Sequence, residues 1–285
     1  KNFNLMHLEF FTALKLFVYH ALIGYVFFLI MPSLFNIKVN MNSSFLHLFY
    51  VSLEESVSLP RNTGLFWEPG VFQLVANLFL FYNIKLKKKS YNIVLAGLAV
   101  VSSFSTMGLV LMMLNFGYLF YLKSKKNSVF LKVLGLLALW LFIPILISNF
   151  NDKVDGENTS GLIRLRDFQI GVELIKEKPL LGHGFFSSDY IKTKSYSGRI
   201  ESNLLYDSFI QLQGEMAGGY TNGLFFLIAV VGIPISIIIV FFHFKNKFVQ
   251  GSNLEIILFG LLPLITMFSE PISITRSEEH TSELQ

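Results

Sequence analysis

The sequence predicts an all-α fold, a polytopic transmembrane helix bundle with about seven spans in this fragment and a long extracytoplasmic loop containing an amphipathic helix. Three observations predict it. The chain is 53% hydrophobic and only 15% charged, with a mean hydropathy of +0.55, where a soluble domain carries about a quarter charged residues. Apolar runs recur along it, several near the roughly 20 residues that a helix needs to cross a bilayer. Lysines gather in short clusters between those runs, the asymmetry that orients membrane proteins.

The spans follow in order. Leu16–Phe35 is the first, with Lys15 before it. Val71–Ile84 is short alone and is extended upward by Leu65, Phe66 and Trp67 to make the second. Tyr91–Leu122 is apolar except for Ser102, Ser103, Phe104, Ser105 and Thr106 at its centre, which divides it into a tight hairpin of two short helices. Val129–Ile147 and Leu224–Phe244 are the fifth and sixth, and Leu254 to about Ile274 is a seventh, interrupted by Pro263 and Pro271.

Three lysine clusters set the orientation: Lys85, Lys87, Lys88 and Lys89; Lys123, Lys125 and Lys126; Lys245 and Lys247. The positive-inside rule puts all three in the cytoplasm. The hairpin between the first two crosses an even number of times, as that placement requires. Two loops are then extracytoplasmic, Asn36–Gly64 and the long Asn149–Asn222. Within the long loop, Leu162, Leu165, Phe168, Val172 and Ile175 recur every three or four residues, the mark of an amphipathic helix. Pro179 stops it, and Gly182 and Gly184 flank His183 in a turn with freedom for positive φ.

The ends are read separately. Lys1 is not an initiator Met and no cleavable signal peptide is visible, so the N-terminus is expected to be incomplete. Residues 276–285 break an apolar segment with a polar decamer that resembles the translation of a sequencing-adapter oligonucleotide. They are set aside, which leaves residues 1–275 as a single integral-membrane domain whose natural chain is expected to continue past Thr275. Removing that tail, with its one arginine and three glutamates, takes the net charge from +4 to +6.

Composition also excludes. With no cysteine, there are no disulfides, thiolate metal sites or cysteine nucleophiles. No P-loop, nucleophile elbow, zinc-peptidase or DxD-like metal signature occurs, so phosphate chemistry energised by cytoplasmic ATP is not expected. Nothing suggests a nucleic-acid groove.

The residues that could carry chemistry sit on the outer side. RNTGLFWEPG at Arg61–Gly70 places an arginine and a glutamate at the water edge of an apolar run, where charge is costly to hold and functional by default. Arg61 is either an interfacial anchor that snorkels to lipid phosphate or a ligand-binding guanidinium. Glu68 is either a dipole-complementing residue ahead of Pro69 at a helix start or a general base. Arg164 and Arg166 lie about 200° apart around the amphipathic helix; Arg164 falls nearer the apolar stripe, and either could be a solvated cation or a phosphate ligand. His183 is a turn residue or a base near neutral pH. His20 and Lys15 read as packed or interfacial groups. Asp167, Glu201, Asp207 and Glu215 have no spacing that demands a site.

Two blocks of motifs together resemble the O-antigen ligase and Wzy-type polysaccharide polymerase superfamily of bacterial envelopes. The first is RNTGLFWEPG entering a span, followed by SFSTMG at Ser103–Gly108. The second is Arg164, then PLLGHGF at Pro179–Phe185, then Asn222, Gly223 and Leu224 opening a span that contains Val231, Gly232 and Ile233. The resemblance covers roughly residues 55–245, and the order of the motifs is more specific than any one of them.

It implies an integral-membrane glycosyltransferase of the bacterial cytoplasmic (inner) membrane, with its working loops extracytoplasmic. The donor is a glycan on undecaprenyl pyrophosphate, with membrane lipids around it and a chain-length regulator and flippase as partners. No nucleotide sugar and no metal are implied. Arg61 and Arg164 map to the pyrophosphate-holding arginines, Glu68 stands as candidate base, and Arg166, His183 and Asn222 are the further substrate-contact candidates. The ligase branch carries a histidine in the loop before the helix that begins here at Asn222. This chain has Tyr220 and Thr221 there, which favours a polymerase or an uncharacterised branch. A ligase acting on a lipid or protein acceptor is the enzyme alternative. A flippase is the non-enzyme one, disfavoured by few charges within spans and no repeated halves.

Overall fold

The computed structural model describes residues 2–37, 42–53, 60–66, 68–124, 168, 171–184, 223–245 and 252–269. In chain order, α1 (Asn2–Ile30) leads through a 3-10 turn (Pro32–Leu34) to strands β1 (Asn42–Phe45), β2 (Phe49–Ser52) and β3 (Arg61–Gly64). Helices α2 (Pro69–Lys85), α3 (Ser90–Ser102), α4 (Thr106–Ser124), α5 (Gly223–Val231), α6 (Ile233–Lys245) and α7 (Asn253–Ser269) follow, and residues 171–177 are also helical. The protein is mostly helical, as expected. It falls into two compact units, Lys1–Asn151 with Lys247–Thr266 and Asp152–Asn246 with Met267–Gln285.

The first unit is built around α2. Phe72, Phe79, Leu80 and Phe81 on this helix are fully buried, beneath Phe11 and Val18 of α1, Ala99 and Val100 of α3, Leu111 and Met112 of α4 and Leu262 of α7. Phe11 stacks on Phe79 with ring centroids 5.5 Å apart, and Phe81 packs between Tyr118 and Phe259. The helix begins at Pro69, whose fixed φ suits a first turn. Leu65 and Phe66 do not extend it, a correction to the expected span: Phe66 N–H closes a turn on Thr63 O at 3.0 Å. At its far end Lys87 takes φ +50, Lys87 N–H reaches Ile84 O and Lys88 N–H reaches Asn83 O, which is a Schellman cap with lysine where glycine usually sits. Lys85 Nζ lies 3.7 Å from Glu255 Oε2, and Tyr118 Oη donates to the same carboxylate, so α2, α4 and α7 are tied together there.

A small sheet departs from the expected all-α fold. Its antiparallel order is β1-β2-β3. Leu46 and His47, both at positive φ, close the β1–β2 turn with Leu48 N–H on Phe45 O. What stabilises these four-residue strands is an aromatic cluster with α1: Phe28, Phe35 and Val51 are buried, with Phe27, Phe45 and Phe49 against them. The expected first span also shifts. The helix starts well before Leu16 and stops at Ile30, because the residue ahead of Pro32 is driven out of helical geometry (Met31 φ −133°, ψ 62°).

Helices α3 and α4 form the expected hairpin, and α7 passes through Pro263 to Ser269. In the second unit the expected continuous span Leu224–Phe244 is broken at Gly232 into α5 and α6. Val129–Ile147 and the tail 276–285 lie outside the described residues.

Beside this apolar core, several polar side chains are buried while large apolar ones cover the outer faces. Gln73, Asn77, Asn83 and Asn115 are buried, whereas Ile23, Val26, Leu29, Val94 and Leu98 face outward. On α6, Ser236 is the buried residue, while Ile235, Ile237, Ile238, Ile239, Phe241 and Phe242 are exposed. Such faces suit a hydrocarbon surrounding, with polar groups acting between helices. Among the described residues, His7–Ile30 is long and apolar enough to cross a bilayer on its own; Ser90–Ser102, Thr106–Leu122, Ile233–Lys245 and Asn253–Met267 are apolar but shorter.

Candidate functional site

The SFSTMG element explains the α3–α4 turn atom by atom. Helix α3 ends at Ser102, and Phe104 takes φ +47, the left-handed conformation that terminates helices. Ser103 Oγ donates to Val100 O at 2.6 Å and accepts from Ser105 N–H at 3.4 Å. Ser105 then caps α4, its Oγ accepting from Gly108 N–H at 3.2 Å. Gly108 has to be small, because a Cβ there would stand 2.9 Å from Cβ of Gln73 on α2.

RNTG, the start of the first motif, forms β3 and lies on this turn. Arg61 Nε donates to Ser103 O at 3.3 Å. That carbonyl belongs to the negative end of the α3 dipole, a favourable place for a guanidinium. The next residue, Asn62, is fully buried and donates to Ser102 Oγ at 3.0 Å and to Ala21 O at 3.3 Å. Tyr25 Oη on α1 donates to Pro60 O at 2.8 Å, pinning the approach to the strand. Pairing runs Ser52 to Arg61 and Val51 to Asn62, then Tyr50 to Gly64. Thr63 is thus the extra residue of a β-bulge, a device that re-aims neighbouring side chains. Its hydroxyl is buried with no hydrogen-bond partner among the described residues.

Behind the turn runs a ladder of buried side chains that the sequence reading did not single out. Asn115 Nδ2 donates to Asn77 Oδ1 at 3.1 Å, Asn77 Nδ2 to Gln73 Oε1 at 3.1 Å and to Gly108 O at 3.1 Å, and Gln73 Nε2 to Thr266 Oγ1 at 3.3 Å. It links α2, α4 and α7 under the hairpin. The available signal was a pair of amides four residues apart, Gln73 and Asn77, on one face of an otherwise apolar helix.

Glu68 is the N-cap residue of α2 (φ −134°, ψ 142°), partly exposed, with its carbonyl accepting from Val71 and Phe72 N–H. Its side chain makes no cap hydrogen bond, so its position matches the dipole-complementing reading and leaves the base reading as chemistry to be tested.

In the second unit, PLLGHG meets the break between α5 and α6. His183 N–H donates to Ala229 O, Gly184 N–H to Val230 O and Ile233 N–H to Pro179 O, each at 2.8 Å. The loop thereby takes up Ala229 O and Ile233 N–H, which a continuous helix would have paired with each other, and Val230 O, which Pro234 has no N–H to serve. The His183 imidazole is turned onto residues 171–177, its side chain 3% exposed. Nε2 stands 3.0 Å from Leu174 O, which can only accept, so Nε2 carries a proton; Glu177 Oε2 is 3.8 Å away. These contacts tie the imidazole to the helix that precedes its own loop.

The structure thus joins the two halves of the first motif block, Arg61–Gly64 with Ser103–Gly108. In the second block it joins Pro179–Gly184 with Val230–Ile233. Arg164, Arg166 and Asn222 lie outside the described residues. Among the described residues no group of His, Asp or Glu side chains is arranged to hold a metal.

Residues 91–231 match the family model described as O-antigen ligase. The matched stretch includes the α3–α4 hairpin and Arg164, Arg166, His183 and Asn222, and starts after Arg61 and Glu68. No curated protein and no protein of solved structure matches the chain.

Proposed function

The chain belongs to the O-antigen ligase and Wzy-type superfamily through residues 91–231, and on that premise we propose that it is a surface-polysaccharide polymerase of the bacterial inner membrane. It takes a glycan from undecaprenyl pyrophosphate at the outer face and uses it to lengthen a repeat-unit polymer. The observation that carries this reading is the Arg61 guanidinium seated on the Ser103 carbonyl at the turn of a hairpin that lies inside the family match.

Depth supports it. The 17 residues of α2 span about 25 Å at ~1.5 Å per residue, with the Lys85–Lys89 cluster at one end and Arg61 beside the other. With the lysines in the cytoplasm, Arg61 lies a few ångströms inside the outer edge of a hydrocarbon core ~30 Å thick. A lipid-linked diphosphate presents its charge in the headgroup layer just beyond that edge, within reach of an arginine side chain that snorkels outward. The seven-span topology, with Asn149–Asn222 outside, is part of this reading.

In the reaction, an acceptor hydroxyl oxygen bonds to the anomeric carbon as the bond from that carbon to the phosphate oxygen breaks. The electron pair leaves with the diphosphate, and the hydroxyl proton passes to a base. Arg61 and Arg164 stabilise the departing charge, for which the planar guanidinium fork is suited. Glu68 is assigned the proton, Arg166 and Asn222 further substrate contacts, and His183 the fixing of its loop. No metal enters this scheme.

A ligase reading is favoured by the description of the matched family itself. Purified protein given a synthetic undecaprenyl-pyrophosphate oligosaccharide separates the two. A ladder of lengthened lipid-linked chains is expected. Transfer of single units to an added lipid or protein acceptor, with no ladder, replaces the polymerase by the ligase. Neither product, with lipid-linked oligosaccharide moved across vesicles, would leave a flippase.

A further inference from the structure

We infer that Asn62 is the positioning residue for Arg61, setting where its guanidinium stands. This rests on Arg61 being a diphosphate ligand. The juxtaposition is a two-rung clamp: neighbours Arg61 and Asn62 of β3 grip neighbours Ser103 and Ser102 at the end of α3. One rung is Arg61 Nε to Ser103 O at 3.3 Å; the other is Asn62 Nδ2 to Ser102 Oγ at 3.0 Å.

Asn62 suits this role better than any apolar residue of its size. Both of its N–H groups are used, one on Ser102 Oγ and one on Ala21 O of α1. Its Oδ1 accepts from Gly64 N–H at 3.0 Å, across the bulged Thr63. One side chain therefore fixes the register of β3 against α1 and α3 and holds the bulge closed. Ser102 is itself oriented, since its hydroxyl donates to Ala99 O at 2.9 Å and so offers its lone pair to Asn62. Bulges are sites where strands slip or bend. Without Asn62, nothing in this set of bonds ties the strand residue next to Arg61 to the helix end on which Arg61 rests. A misplacement of about 1 Å is enough to cost a large factor at a charge-recognition site.

The test is a double-mutant cycle on the full chain in nanodiscs, read as affinity for undecaprenyl pyrophosphate. Asn62→Ala is expected to weaken binding about tenfold when Arg61 is present, the order of one net hydrogen bond. On an Arg61→Ala background it should add nothing, because a residue acting through Arg61 has nothing left to position. Equal losses on both backgrounds, or no loss with Arg61 present, overturn the inference while leaving Arg61 as a ligand. If Arg61→Ala alone binds like wild type, the diphosphate reading fails and the positioning role with it. Should Asn62→Ala not accumulate, Ser102→Ala cuts the same rung from the helix side and is held to the same pattern.

Discussion

Gly182 and Gly232 approach so closely that neither has room for a side chain. A Cβ on Gly182 would lie 2.6 Å from Gly232 N, and one on Gly232 would lie 2.9 Å from Gly182 N. Both also take positive φ, +64° and +81°. The first is in the PLLGHG loop and the second is the break between α5 and α6, so the pair is the contact through which the two motifs meet. Alanine at either position combines left-handed strain with overlap on backbone atoms that cannot swing away. The expected loss is at least ~2 kcal/mol, visible as a lower thermal midpoint of the detergent-purified protein. A wild-type midpoint for Gly182→Ala would mean that the loop does not sit in the break.

Arg61→Ala is expected to reduce polymer formation by roughly 10²–10³, the loss typical of removing one charge-stabilising donor, with membrane abundance unchanged. Arg61→Lys should fail comparably. An ammonium supplies charge but cannot place one donor on Ser103 O and present a planar edge to a diphosphate. Chain-length analysis of surface polysaccharide reads both variants, and normal ladders from Arg61→Lys would remove the geometric part of the argument.

Much of this was legible in the residues, for reasons that differ by element. The α3–α4 hairpin was readable because a Ser/Thr run in the middle of an apolar stretch leaves the backbone few alternatives to capping and turning. Glu68 and Pro69 carried the helix-end chemistry that starts α2, yet the expected span ran on through Leu65 and Phe66, because apolar residues ahead of a span look like more of it. The sheet was not readable. NSSF and RNTG lack alternation, and the β1–β2 turn is made by Leu46 and His47 at positive φ instead of glycine or asparagine. Those strands exist because Phe27, Phe28 and Phe35 offer an aromatic surface, a tertiary fact. The break at Gly232 did leave a mark, Gly232 two residues ahead of Pro234, a pair that interrupts helices; what the residues do not reveal is the loop some fifty residues earlier in the chain that fills the break. At the site, Arg61 was conspicuous as a charge, whereas Asn62, uncharged and inside a motif, carried no visible mark of its three bonds.

The absence of cysteine allows the topology to be mapped on a clean background. With the Lys85–Lys89 cluster cytoplasmic, a cysteine replacing Ser90 should be protected from a membrane-impermeant maleimide in intact cells, and one replacing Ser187 should be labelled. The opposite pattern would put Arg61 on the cytoplasmic side, away from any outer-face donor.

Lys87 offers a stabilising change. It occupies the left-handed position of the Schellman cap on α2 at φ +50, which costs an L-residue roughly 1 kcal/mol that glycine does not bear. Lys87→Gly should therefore raise stability by up to about 0.5 kcal/mol, after the greater freedom of glycine in the unfolded chain is subtracted. Activity should not change, because this end of α2 is the one remote from Arg61. Chemical denaturation in mixed micelles is the measurement, and a fall in stability would show that the lysine side chain, lost in the change, outweighs the backbone strain.

Asn77 tests whether the buried ladder holds the hairpin in place. Its Nδ2 serves Gln73 O, Gln73 Oε1 and Gly108 O, and its Oδ1 receives Asn115 Nδ2. Asn77→Ala removes one group and strands several, each in a place that water does not reach, at a cost of about 1–3 kcal/mol. Asn77→Ala combined with Asn115→Leu should recover part of that loss, since the Asn115 N–H that had served Asn77 Oδ1 goes with it, less the bond that Asn115 Nδ2 keeps to Asn77 O at 3.2 Å in the single variant. Relief of this kind separates an unsatisfied-polar cost from a simple cavity, which the second substitution would not reverse. Because Gly108 follows directly on the turn that presents Ser103 O to Arg61, the single variant should also lower activity more than its abundance. Activity that tracks abundance alone would make the ladder a packing device with no bearing on the site.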